Sequence, residues 1–115
     1  MIIEKGKRYG RTSEEVREFG YPEDNESNIK VDNEIILTDD EVREMFPNQF
    51  VVVKVVEYKD IYALSNFTKA IVLYFKCEGH FASNMVKELR EKDSSGVYFS
   101  GTYYDPALEG DLLWF

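Results

Sequence analysis

Cysteine and histidine are each present once in this 115-residue chain, as Cys77 and His80. A lone cysteine cannot close an internal disulfide, so the fold has to rest on packing, and a reduced, cytoplasmic setting is expected. No apolar run approaches the length of a membrane span, so no membrane partner is expected. Met1-Ile-Ile-Glu4 runs at once into charge, which does not suit a secretory leader. A glycine-rich phosphate loop is absent too. Gly6 and Gly10 are isolated, and Gly96-x-x-x-x-Gly101 lacks the Lys-Ser/Thr of a phosphate loop. Lysine and arginine are absent after Lys92. That argues against an aromatic sheet that stacks nucleic-acid bases, which needs basic residues among the aromatics.

Apolar residues make up 43% of the chain and aromatics 15%, which excludes disorder for most of it. The length suits one domain, residues 1–115, that buries roughly two-thirds of the surface exposed when unfolded. Residues 69–76 and 97–104 are apolar, β-branched and aromatic runs of strand length. Between them, residues 81–92 carry Ala82, Met85, Val86 and Leu89 at helical spacing. A switch from strand-type runs to a 3.6-residue period and back predicts a β-α-β unit, with its two strands parallel by a right-handed crossover. Residues 50–58 read Phe-Val-Val-Val-Lys-Val-Val-Glu-Tyr. So continuous a run suits a central strand covered on both faces, antiparallel to 69–76. Residues 111–115 are apolar enough to dock as a last strand.

Two short helices are predicted before this unit. Thr12-Ser-Glu-Glu15 and Thr38-Asp-Asp-Glu41 both have capping-box spacing, opening helices at 13–19 and 39–46. Gly20 and Pro22 stop the first, and Pro47 stops the second. Glu15-Val-Arg-Glu18 recurs as Glu41-Val-Arg-Glu44, a likeness that suits convergence on a common helix start. Residues 29–31 and 34–37 flank Asp32-Asn33 and suggest a small hairpin. The expected architecture is α+β: a mixed sheet of three or four main strands, one principal helix and two short ones. The short helices, the C-terminal tail or a second subunit would cover the remaining sheet face, so a homodimer is one candidate.

The net charge of −8 is uneven: residues 21–47 hold nine acidic and two basic side chains, a net of −7. Such a surface repels phosphates, which disfavours direct nucleic-acid binding, and steers a basic partner. Asp39, Asp40, Glu41 and Glu44 are its candidate contact residues, and Tyr103, Tyr104, Trp114 and Phe115 are candidate aromatic anchors. The plainer readings are a solvated helix start and a set of core aromatics. Cys77-Glu-Gly-His80 has zinc-ligand spacing but no further Cys or His to complete a site, so no metal and no cofactor are expected. His80 is the only candidate for acid–base chemistry near neutrality, as in a small hydrolase or transferase, with Glu57, Glu78, Tyr98 or Tyr103 as candidate assistants whose geometry the sequence does not fix. The expectation is a non-catalytic protein-binding module, most specifically an inhibitor of a basic nucleic-acid-acting enzyme. Anti-restriction or anti-CRISPR proteins of mobile elements and immunity proteins against nuclease toxins are of that kind.

Overall fold

The computed structural model describes residues 1–20, 27–59 and 67–101, together with the backbone of 102 and 113–114. In chain order the elements are α1 (Ser13–Phe19), β1 (Ile29–Lys30), β2 (Ile36–Thr38), α2 (Asp39–Met45) and β3 (Phe50–Tyr58). They continue as β4 (Phe67–Cys77), α3 (Gly79–Lys92), β5 (Tyr98–Thr102) and β6 (Leu113–Trp114). The strands form one sheet in the order β1-β4-β3-β5-β6, with β2 also paired to β4. This is an α+β fold.

The most β-branched run, β3, lies mid-sheet, between β4 and β5. Its side chains alternate between two cores. Val51, Val53 and Val55 face a core built with Ile3, Tyr9, Leu37, Val42, Met45, Phe46 and Phe75. Val52 and half-buried Phe50 face a second core with Ala82, Val86, Met85 and Leu89 of α3. Successive residues of a strand point to opposite faces, which is why a continuous apolar run needs both layers. Both covers of β3 thus come from within one chain.

Two expectations are corrected. The sheet is not mixed: every described pair is antiparallel. Strands β4 and β5 do share a direction, as the β-α-β reading requires, but β3 lies between them. A crossover through α3 that passes over β3 gives that strand hydrogen-bonding neighbours on both sides and a helix above it. Nor do 29–31 and 34–37 form a hairpin. Both β1 and β2 pair antiparallel with β4, Ile29 opposite Phe75 and Ile36 opposite Ile71, so they are one edge strand with an interruption. The interruption is occupied. Asn33 accepts from the Ile3 N–H and donates to the Ile3 carbonyl, both at 2.9 Å, and so stands in for a strand neighbour.

Both capping boxes form. Thr38 Oγ1 accepts from Glu41 N–H at 3.2 Å while Glu41 Oε1 accepts from Thr38 N–H at 3.0 Å. Thr12 and Glu15 do the same for α1. Helix α3 starts two residues before its expected position, at Gly79, and ends at Lys92 as expected. Of the strand expected at 97–104, residues 103–104 lie outside the described residues, and of that expected at 111–115 the backbone of 113–114 is described.

Candidate functional site

The four acidic candidates share helix α2, which begins directly off the edge strand β2. The boxed cap and Asp39 and Asp40 in the first turn suit its positive end. The structure divides the four by role. Asp39 pairs with Arg43 one turn on, at 3.4 Å. Glu41 closes the cap and pairs with Lys5 at 3.4 Å. The Thr38 N–H bond, chiefly, holds the Glu41 carboxyl below the usual carboxylate range, with Lys5 acting in the same direction. Asp40 and Glu44 are exposed, one turn apart, and form no ion pair among the described residues. A cleft of about 280 Å³ separates this helix from the basic stretch Lys5, Lys7 and Arg8. Part of the acidic charge is therefore answered inside the chain.

The aromatic candidates are placed less fully. Tyr103, Tyr104 and Phe115 lie outside the described residues, and Trp114 is placed by its backbone, in β6 opposite Gly101. Strand β6 is at the far edge of the sheet from β2, with β4, β3 and β5 between them. At the usual strand spacing that is a separation of about 19 Å. The structure thus gathers the acidic residues on one helix and puts Trp114 at the opposite edge.

Cys77 and His80 lie in different environments. Cys77 is buried with Val52, Ala82, Val86 and Tyr98, and burial pushes its thiol up to about 12. His80 is exposed in the first turn of α3, on a cleft of about 320 Å³ shared with Asn28, Glu78, Phe81 and Glu88. Among the described residues no group of three His, Cys, Asp or Glu is placed to hold a metal ion. The thiol makes a direct test of the core. At pH 8, Cys77 should react with a disulfide reagent slower by about a hundredfold or more in the native protein than in denaturant, because the thiolate is the nucleophile. Its raised value also carries a sign. The native state keeps the proton while the unfolded state loses it above its own value of 9.0, so this contribution to stability is complete below pH 9 and is lost as pH rises towards 12. Tyr98, pushed up to about 12 by its hydrogen bond to Asp93, adds in the same direction. Thermal melts from pH 8 to 11 should fall more steeply for the native chain than for Cys77→Ala.

A cluster that sequence reasoning missed ties the end of α3 to β5. Tyr98 Oη donates to Asp93 Oδ2 at 2.6 Å, Ser95 Oγ donates to Asp93 Oδ1 at 2.8 Å, and Lys54 Nζ lies 3.9 Å from Asp93. The Tyr98 bond, chiefly, lowers the Asp93 carboxyl. A Cβ on Gly96 would meet the Tyr98 ring at 2.5 Å, so glycine is required here by close approach, while the cap of α3 itself is Asp93. The signal was the Asp93-Ser-Ser-Gly96 stop itself, which does not reveal that its acid reaches Tyr98 across the turn.

These features define a small α+β domain with an antiparallel sheet layered between one long helix and a two-helix N-terminal half, bearing an acidic helix at one edge. No protein-family model, curated protein or solved structure matches the chain.

Proposed function

We propose that this chain is a non-catalytic protein-binding module that takes a basic partner on helix α2. In its specific form it is an inhibitor that occludes the cationic groove of a nucleic-acid-acting enzyme. One observation carries the reading: Asp40 and Glu44 are exposed together and form no ion pair among the described residues, in the segment that holds most of the net negative charge. Carboxylates so placed steer a cationic surface and hold register on it. Tyr103, Tyr104, Trp114 and Phe115 enter as aromatic anchors that supply residence time, of which Trp114 lies by its backbone in β6 at the opposite edge. The acids Asp39 and Glu41 belong to the helix as much as to any partner, which decides how the reading is tested.

The experiment is capture from cell lysate on the immobilised chain at low and then high salt, with the native protein and with Asp40→Lys/Glu44→Lys. A basic nucleic-acid-acting protein should be retained at low salt, released by high salt, and lost with the double variant. The variant should lose about 1 kcal/mol of stability, the cost of a cation in the first turn of α2, and keep the fold, since neither side chain bonds within the described chain. Capture that survives the charge reversal refutes the reading.

A contact between copies of the chain is the second reading. Ile36, which pairs with Ile71 across β2 and β4, is 50% exposed, and Val56 and Tyr58 of β3 are 45% and 41% exposed. Light scattering decides it: a dimer mass supports it and a monomer mass removes it.

A further inference from the structure

One face of α3 and strand β5 line a cleft of about 370 Å³, with Ser83, Val86, Lys87, Arg90, Glu91 and Ser100 among its walls. Ser83, Lys87 and Arg90 recur at four and three residues, which puts them on one face of the helix. The strand contributes polar groups for a reason of register. Val55 N–H donates to the Val97 carbonyl at 2.8 Å, and Lys54 is opposite Tyr98. Hydrogen-bonded and non-bonded pairs alternate along an antiparallel ladder, so Tyr98 and Ser100 turn their backbone groups away from β3. Arg90 takes one of them. Its Nε–H and Nη2–H donate to the Tyr98 carbonyl at 3.1 and 2.7 Å, and its guanidinium carbon is 5.3 Å from the centre of the Phe99 ring.

We infer that this cleft binds a small oxyanion, the phosphoryl or carboxylate group of a low-molecular-weight ligand. Arg90 is held by two hydrogen bonds and a ring, so little side-chain freedom remains to be lost when a ligand arrives. Two of its five N–H donors are used. Lys87, one turn away, adds a second cation. Lys54, Lys69 and Lys92 each hold a carboxylate, whereas Lys87 and Arg90 hold none among the described residues. Ser83 adds an exposed hydroxyl and Ser100 a buried one at the floor, and Glu91 is the one opposing charge among the described residues of the lining. A local excess of positive charge on a chain of −8 focuses a small anion, while the surrounding acid repels a polyanion such as nucleic acid. This site is on the α3 face and is independent of the partner surface on α2.

Amide chemical shifts of the isotopically labelled protein, titrated at constant ionic strength with inorganic phosphate, with acetate and with chloride, test the inference. Saturable shifts at Lys87, Arg90 and Ser100 are expected beyond the chloride control, and the tighter of phosphate and acetate identifies the group. Lys87→Gln should weaken binding about two- to fivefold, and Glu91→Gln should tighten it by a similar factor. Both side chains are exposed and outside the Arg90–Tyr98 contact, so both variants keep the fold. Shifts no larger than those with chloride, or shifts that neither variant changes, overturn the site.

Discussion

Phe46→Ala should destabilise the protein by about 3–5 kcal/mol, the usual range for truncating a fully buried phenylalanine. Phe46 is completely buried where α2 ends. Its ring stacks on Tyr9 at 5.5 Å and tilts against Phe75 at 5.3 Å. Tyr9 in turn lies 5.5 Å from Phe75. Three rings thus join the N-terminal segment, α2 and the longest described strand of the sheet, β4, at one point. Removing the middle ring leaves a cavity whose walls belong to three different elements, and such walls cannot collapse together without moving the backbone. The check is a thermal or urea melt, with a fall in melting temperature of about 10 °C or more expected. Phe19→Ala is the matched control: Phe19 is 65% exposed, so its loss should shift the midpoint little. Equal effects at the two positions would remove Phe46 from its central place.

Gln49→Ala comes next, at about 2–3 kcal/mol, with a different cause. The Gln49 amide is a splice between two chain segments. Its Nε2 donates to the Tyr9 carbonyl at 2.8 Å and its Oε1 accepts from the Lys76 N–H at 2.8 Å. Lys76 has φ +50, a conformation side-chain-bearing residues rarely adopt, and its carbonyl accepts from Asn28 N–H at 3.0 Å. Gly10 permits the approach: a Cβ there would meet Gln49 Nε2 at 2.5 Å and the Pro47 carbonyl at 3.0 Å. Truncating Gln49 leaves a part-buried donor and a part-buried acceptor without partners, and each orphan costs about 1 kcal/mol or more. Hydrogen exchange gives a local readout. The Lys76 amide should exchange faster in Gln49→Ala than amides in mid-β3, and an unchanged Lys76 rate would contradict the splice.

The two effects differ in how visible they were beforehand. An apolar residue at the end of an amphipathic helix, just before Pro47, is recognisable as core from periodicity alone, so Phe46 was within reach. Gln49 is a polar residue in a turn, 40 positions from one partner and 27 from the other. Nothing local distinguishes it from a solvated glutamine, because its value lies in which backbone groups the fold delivers to it. The acidic site shows the same split. The sequence placed Asp39, Asp40, Glu41 and Glu44 on one helix, yet only the structure separated the two that form ion pairs from the two that form none among the described residues. The arginine fork of Arg90 was not legible at all, since its acceptor is a carbonyl turned outward by the register of β5.

The sequence by itself determined the local chemistry of the fold. The Thr-x-x-Glu spacings produce both capping boxes, the β-branched run of 50–58 becomes β3 with those bounds, and Asp93-Ser-Ser-Gly96 ends the long helix. These depend on contacts within a few residues, where side-chain type and spacing are sufficient. The tertiary structure alone decided the order of the strands. It put β3 between β4 and β5, turned the expected hairpin into one interrupted edge strand held by Asn33, and placed α2 and β6 at opposite edges. Pairing partners along a sheet are chosen by the burial of whole faces and by crossovers that span many residues. No window of the sequence contains that competition, because it is settled only when both cores close on β3.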